Sequence, residues 1–179
     1  MTIDFLPVRD QDQELLAEVA GEIWNEYWPQ HIGQAQTDYM VEQFQSLPAI
    51  QRQMAEEGYE YWFLTVPQGQ SDSPWTAPDG RPIVGFTGGH EEPETNRYFI
   101  SKIYLLASER GKHYASRVIQ FYTALCVQRD LRAMYLTVNK GNQMGIRCYE
   151  AKGFKTIDAV ETDIGQGFIM DDYIMEKQA

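Results

Sequence analysis

The residues with the most chemistry in them sit together in the middle of the chain. Arg110-Gly111-Lys112-His113-Tyr114-Ala115-Ser116 follows the run Ile100-Ser101-Lys102-Ile103-Tyr104-Leu105-Leu106, and it opens a segment with apolar residues at 115, 118, 119, 122, 125 and 126. The run is rich in β-branched, aromatic and leucine residues and predicts a buried strand, while the later spacing predicts a helix. A strand that feeds a helix through a short turn leaves free N–H groups and the positive end of the helix dipole at that turn. Gly111 lets the backbone come close to a ligand, and Arg110 and Lys112 add charge. The chemistry this arrangement offers is anion binding, most simply of a phosphate.

Charge along the chain agrees with an anion site at that place. Residues 1–96 hold three basic and seventeen acidic side chains, residues 97–155 hold eleven and three, and residues 156–179 hold one and six, for a net charge of −11. A basic central block inside an acidic protein suits an anionic cofactor, and acidic flanks attract a cationic second substrate while repelling nucleic acid. On the first expected helix, Glu14, Glu18, Glu22 and Glu26 fall four apart, which reads as a wet face that a cationic ligand can also use. Cys126 and Cys148 lack ligand-like spacing and read as packing residues in a reducing compartment. His31, His90 and His113 have no metal-ligand spacing, so no metal is expected.

The elements that must position the turn follow from the rest of the chain. With 179 residues and 43% hydrophobic content, it suits a single domain over 1–179. No run is long and apolar enough to span a membrane, and the first residues lack a leader pattern, so the cytoplasm is the expected location. Residues 3–9 predict a short strand, with Pro7 favouring an edge position. Asp10 or Asp12 then caps a helix carrying Leu15, Leu16, Val19, Ala20, Ile23, Trp24 and Tyr27. Residues 29–36 predict a connection, a second helix starts at Thr37 or Asp38, and Pro48 opens another piece ending near Gly58. Residues 59–66 and 82–89 predict neighbouring strands, joined by a mobile loop rich in Pro, Gly, Ser and Asp at 67–81. Beyond the central helix, residues 133–139 predict a strand parallel to the one at 100–106. Asn142 caps a helix that ends at Gly153, and residues 154–160 and 167–176 predict two closing strands.

Arg110 to Ala115 resembles the Arg/Gln-x-x-Gly-x-Gly/Ala pyrophosphate loop of the GNAT superfamily of N-acetyltransferases. Leu136-Thr137-Val138-Asn139, then Asn142, Ile146, Tyr149, Gly153 and Phe154, resemble that family's second signature. The acidic helix, Ile23-Trp24-Asn25-Glu26-Tyr27 and Met170-Asp171-Asp172-Tyr173-Ile174-Met175 look like bacterial diamine or polyamine acetyltransferases. The resemblance implies an α/β (α+β) fold: a mixed, mostly antiparallel twisted sheet with a central splayed parallel pair and helices on both faces. It implies an acetyl-CoA-dependent N-acetyltransferase, with the cofactor between the strands at 100–106 and 133–139 and held by Ile103, Tyr104, Leu105, the residues 110–116, Asn142 and Tyr149. The N–H near Leu105 would polarise the acetyl carbonyl, and Tyr149 would protonate the departing thiolate. The expected partner is a small cationic amine attacking directly in a ternary complex, with no nucleic acid or membrane; a homodimer fits the same picture.

Two departures bear on function. His113 stands where the family usually has glycine; a helical φ would suit histidine, but its side chain would face the pyrophosphate. Phe99 stands where many members have a glutamate, so the general base is open among Glu91, Glu92, His90 and Tyr173. The other class of function compatible with these residues is a GNAT-like domain that binds acyl-CoA or a partner without turnover.

Overall fold

The computed structural model describes residues 2–179. Its strands are β1 (Asp4–Pro7), β2 (Glu60–Thr65), β3 (Ile83–Glu92), β4 (Arg97–Leu105), β5 (Ala133–Asn139), β6 (Lys155–Gly165) and β7 (Phe168–Gln178). Its helices are α1 (Gln13–Tyr27), α2 (Pro29–Ile32), α3 (Gln34–Met40), α4 (Leu47–Glu56), α5 (Tyr114–Gln128) and α6 (Gln143–Ala151). The strands form one seven-stranded sheet in the order β1-β2-β3-β4-β5-β7-β6. The pairs β1–β2, β2–β3, β5–β7 and β6–β7 are antiparallel, and β4–β5 is parallel. Pro7 falls on an outer strand, where its missing N–H leaves no ladder bond unmade.

The chain divides into two compact units, one running through His90 and resuming with Lys102–Ala115, the other comprising Glu91–Ser101 and Ser116–Ala179. In the first, Leu16, Val19, Ala20 and Ile23 of α1 and Ile50 of α4 bury against Tyr61, Phe63, Ile83 and Phe86. Each of the Leu, Val, Ile and Phe side chains contributes roughly 1.5–3 kcal/mol on burial. Gly85 is required there: a Cβ would fall 2.2 Å from the Tyr104 carbonyl oxygen, so only glycine lets β4 pass this close. No helix among the described residues is long and apolar enough to cross a membrane.

Several local expectations are revised in this unit. Asp12 does not cap α1; its carboxylate accepts the Arg9 N–H (3.0 Å) and pairs with the Arg9 guanidinium, closing a short 3-10 turn over Asp10–Asp12. The expected connection at 29–36 is helical, because Pro29 preorganises the first turn of α2. Helix α3 starts at Gln34 rather than Thr37, whose buried hydroxyl donates back to the Gly33 carbonyl (2.7 Å). The chain then widens into a π-helical turn over Val41–Gln45 before Ser46 caps α4. The loop after β2 is tied down rather than loose: Gln70 donates to Thr2 O (2.8 Å) and Tyr114 Oη (3.0 Å), and Thr76 bridges Pro82.

In the second unit, Tyr98, Val118, Tyr122, Cys126, Met134, Leu136, Phe154 and Met175 are buried. Asn142 caps α6 by accepting the Gly145 N–H (2.9 Å), and Gly153 ends it at φ +96°. Strands β6 and β7 are longer than expected and meet at Gln166-Gly167, both at positive φ, the turn that matches strand twist. Strand β6 lies at the end of the sheet and is exposed along almost its whole length.

Candidate active site

The turn expected to bind an anion runs from the end of β4 to the start of α5. Leu105 ends β4, a 3-10 turn covers Ala107–Glu109, and α5 starts at Tyr114. Glu26 anchors the turn by accepting the Ala107 N–H (3.0 Å). Glu109 is 2% exposed and accepts from the Ser71 hydroxyl and from Lys112 Nζ (2.8 Å). Lys112 is thus bound to its own turn, and its pKa is raised by the hydrogen bond to Glu109. Arg110 donates to the Leu105 carbonyl (3.2 Å) and lies over the Tyr27 ring (4.9 Å). The structure therefore brings Leu105 and Arg110 together. Tyr114 is buried, and its hydroxyl accepts from Gln70. Ile103, Ala115 and Ser116 are half-buried along β4 and the first turn of α5. The Tyr104 ring packs on Trp24 and Phe86.

His113 corrects an expectation. It is not in the first helical turn but just before it, at φ +63°, with Gly111 at +79°. A glycine would hold the His113 conformation without strain, whereas a side chain there costs about 1–2 kcal/mol. A Cβ built on Gly111 meets no atom within 4 Å, so the backbone there is open to an approaching phosphate.

The other residues singled out by sequence lie in the second unit. The Tyr149 ring packs on Phe154 (5.7 Å), and burial followed by the nearby Cys148 pushes its hydroxyl up to about 12, so it keeps its proton at neutral pH. Asn142 begins the helix that carries Tyr149. Glu91 pairs with Arg129 (2.8 Å). Glu92 accepts from Thr95, Tyr135 and Arg97 (3.0 Å to Arg97); burial alone would raise its pKa, but these hydrogen bonds outweigh it and bring it to about 2. A carboxylate held so low is a poor proton acceptor. Arg97 also pairs with Glu176 (2.9 Å) and lies over Tyr135 (4.1 Å).

Among the described residues, β4 and β5 pair only from Arg97 opposite Ala133 to Phe99 opposite Tyr135, although β5 continues to Asn139. From Leu136 onward, β5 is paired through β7. An extended ligand can use the edge that β4 leaves, as an added strand would.

Sequence reasoning missed Lys102. It lies in the first unit, is 4% exposed, and Nζ donates to the Phe44 carbonyl in the π-helical turn (2.7 Å), to Gln53 Oε1 (3.1 Å) and to Tyr61 Oη. The Tyr61 and Tyr59 rings lie 5.0 and 5.8 Å from Nζ. Burial pulls this lysine down to about 7, against the opposing pull of Glu57. The available signal was a lysine inside an otherwise apolar strand.

Comparison with known proteins agrees with this architecture. Residues 20–154 match the model of the Acetyltransferase (GNAT) family. No curated protein sequence matches the chain significantly. Among solved structures, it is similar to the PaiA N-acetyltransferase of Thermoplasma acidophilum in complex with coenzyme A, at 19% identity over 100% of both chains with a TM-score of 0.74. A GCN5-related N-acetyltransferase from Rhodopseudomonas palustris matches at 13% identity over 100% of this chain and 97% of that one, with a TM-score of 0.75. The spermidine/spermine N-acetyltransferase SpeG of Vibrio cholerae matches at 14% identity over 99% of this chain and 95% of that one, with a TM-score of 0.65. The family match spans most of the chain, the fold agrees over its full length, and the chain is an acetyl-CoA-dependent acyltransferase belonging to the GNAT acetyltransferase family.

Proposed function

We propose that the protein acetylates a primary amine on a small, cationic, diamine- or polyamine-like molecule, by direct attack in a ternary complex. The observation that carries this reading is the charge segregation: acidic flanks of residues 1–96 and 156–179 enclose a basic block, 97–155, that contains the anion-binding turn. A field of that sign concentrates cations and disfavours acidic or neutral competitors. The exposed carboxylates of Glu14, Glu18 and Glu22 on α1 support it, as does the fold shared with a spermidine/spermine acetyltransferase.

Acetyl-CoA supplies the activated acetyl group. In this reading the N–H groups of residues 110–116 and the Arg110 guanidinium hold its pyrophosphate, and Ile103, Tyr104 and the free edge of β5 hold its arm. Asn142 contacts it from the start of α6. The Leu105 N–H steadies negative charge developing on the acetyl oxygen. Tyr149, which keeps its proton throughout the physiological range, donates it toward the leaving sulfur.

The test is release of CoA thiol with diamines, polyamines, lysine peptides and aminoglycosides. kcat/KM should rise with acceptor charge and fall with added salt. Equal activity on a neutral amine of similar size would overturn the cationic reading. Tyr149→Phe should lower kcat by about 10–100-fold with CoA affinity and thermal midpoint unchanged; loss of folding would make Tyr149 a packing residue.

A further inference from the structure

Within the first unit, the last turn of α1 meets the end of β4 and the turn after it at several points. The Trp24 ring packs against the Tyr104 ring, with centroids 5.5 Å apart at 63°. The Glu26 carboxylate accepts the Ala107 N–H (3.0 Å), the group that opens the 3-10 turn. The Arg110 guanidinium lies over the Tyr27 ring at 4.9 Å. Tyr27 is itself held from the chain that follows: Trp28 meets it edge-on (4.9 Å, 88°), and His31 of α2 lies against it (4.2 Å, 33°).

Arg110 is long and exposed. A ligand that orders such a side chain forfeits part of its binding energy to lost rotamer freedom. Here much of that ordering precedes the ligand. The Tyr27 ring carries the guanidinium, and one N–H donates to the Leu105 carbonyl (3.2 Å). The planar fork has further N–H donors with which to bind a phosphate in bidentate fashion. Lys112, the other cation of the turn, is held by Glu109 (2.8 Å). The Leu105 bond also ties the guanidinium to the last peptide of β4, whose Leu106 N–H donates to the Val84 carbonyl (3.0 Å).

We propose that Tyr27 and Glu26 are positioning residues for the cofactor. The Tyr27 ring preorganises Arg110, and the Glu26 carboxylate fixes the Ala107 end of the turn, so the last turn of α1 is the template on which the pyrophosphate site is built. This rests on the reading that residues 110–116 hold the pyrophosphate of CoA. A residue that acts only by preorganising Arg110 contributes nothing to CoA binding once Arg110 is removed. A residue that merely stabilises the fold contributes the same with or without it.

The test is a double-mutant cycle on the full chain, read by calorimetry with CoA, using Tyr27→Leu, Arg110→Ala and the two together. Tyr27→Leu should weaken CoA binding about fivefold, and Tyr27→Phe, which keeps the ring, should restore it. In the Arg110→Ala background the leucine change should matter by less than about twofold. Glu26→Ala should weaken binding about tenfold, and Glu26→Gln, which keeps an oxygen acceptor, should restore most of the loss.

The role of Tyr27 is overturned if Tyr27→Leu binds CoA within about twofold of wild type, or if it costs as much without Arg110 as with it. That of Glu26 is overturned if Glu26→Ala stays within about twofold of wild type, or if the glutamine variant loses as much as the alanine one. If Arg110→Ala binds CoA as tightly as wild type, the pyrophosphate reading fails and the Tyr27 inference falls with it. If Arg110→Ala weakens binding and Tyr27→Leu does not, the inference alone fails. Tyr27→Met replaces the leucine variant should that one not fold.

Discussion

Lys102 in the first unit and Asp172 in the second are both buried residues, yet their surroundings differ. The lysine has three oxygen acceptors and two aromatic rings around its ammonium. The aspartate has no partner among the described residues. Taking a charge out of water costs several kcal/mol; the hydrogen bonds of Lys102 offset part of that cost, and burial still pulls it down to about 7. The lysine ties β4 to the turn before α4, whereas no side chain fixes the Asp172 carboxylate.

The comparison breaks most easily at Lys102. Lys102→Ala should lose about 3 kcal/mol in denaturant unfolding, because it leaves a cavity and orphans the Phe44 carbonyl and Gln53. A loss below about 1 kcal/mol would mean that the network is incidental. The wild-type pH dependence carries its own sign. Lys102 titrates near 7 when folded and near about 10.4 when unfolded, so the unfolded chain binds more protons in that window and stability rises with pH across it. Lys102→Met should flatten that rise.

The next contrast lies within the second unit, between two carboxylates on one sheet. Arg97→Met strands Glu92 and Glu176 and should cost about 2 kcal/mol at neutral pH. Glu92 has its folded pKa depressed to about 2, so its contribution is present above the unfolded value near about 4.3 and is lost as pH falls toward the folded one. Asp172 has its folded pKa raised, so its contribution grows on acidification. Glu92→Gln and Asp172→Asn should therefore change the slope of stability against pH in opposite directions below neutrality. Slopes that move together would remove the distinction.

The smallest effect is expected at His113. His113→Gly should gain about 1 kcal/mol by releasing the left-handed conformation. CoA affinity, measured by calorimetry, should rise if the imidazole hinders the phosphate and fall if it contacts it.

Much of this arrangement was legible because it is local. The strand before Arg110, the helix after it, the Asn142 cap and the Gly153 stop each follow from a few neighbouring residues. The His113 conformation was not, because a histidine gives no sign that its backbone must turn left-handed; the glycine that the family usually has at that place is the clue. Helix α2 and the first turn of α3 were hidden by a Gln-rich stretch whose turns depend on Pro29 and Thr37. Lys102 and Asp172 are invisible for a common reason. Whether a charge is satisfied depends on atoms that arrive from other elements, 58 residues away for the Phe44 carbonyl.

The outermost strand has a consequence for how molecules of this protein meet one another. Strand β6 exposes an unpaired edge eleven residues long, with Ile157 turned to solvent, a shape that invites another strand to add itself. Asp158, Glu161 and Asp163 are spaced along it. Two copies approaching edge to edge would bring these carboxylates against each other, so the strand acts as a gatekeeper against fibre-like stacking. Like charges set against each other oppose such pairing at neutral pH without shortening the strand.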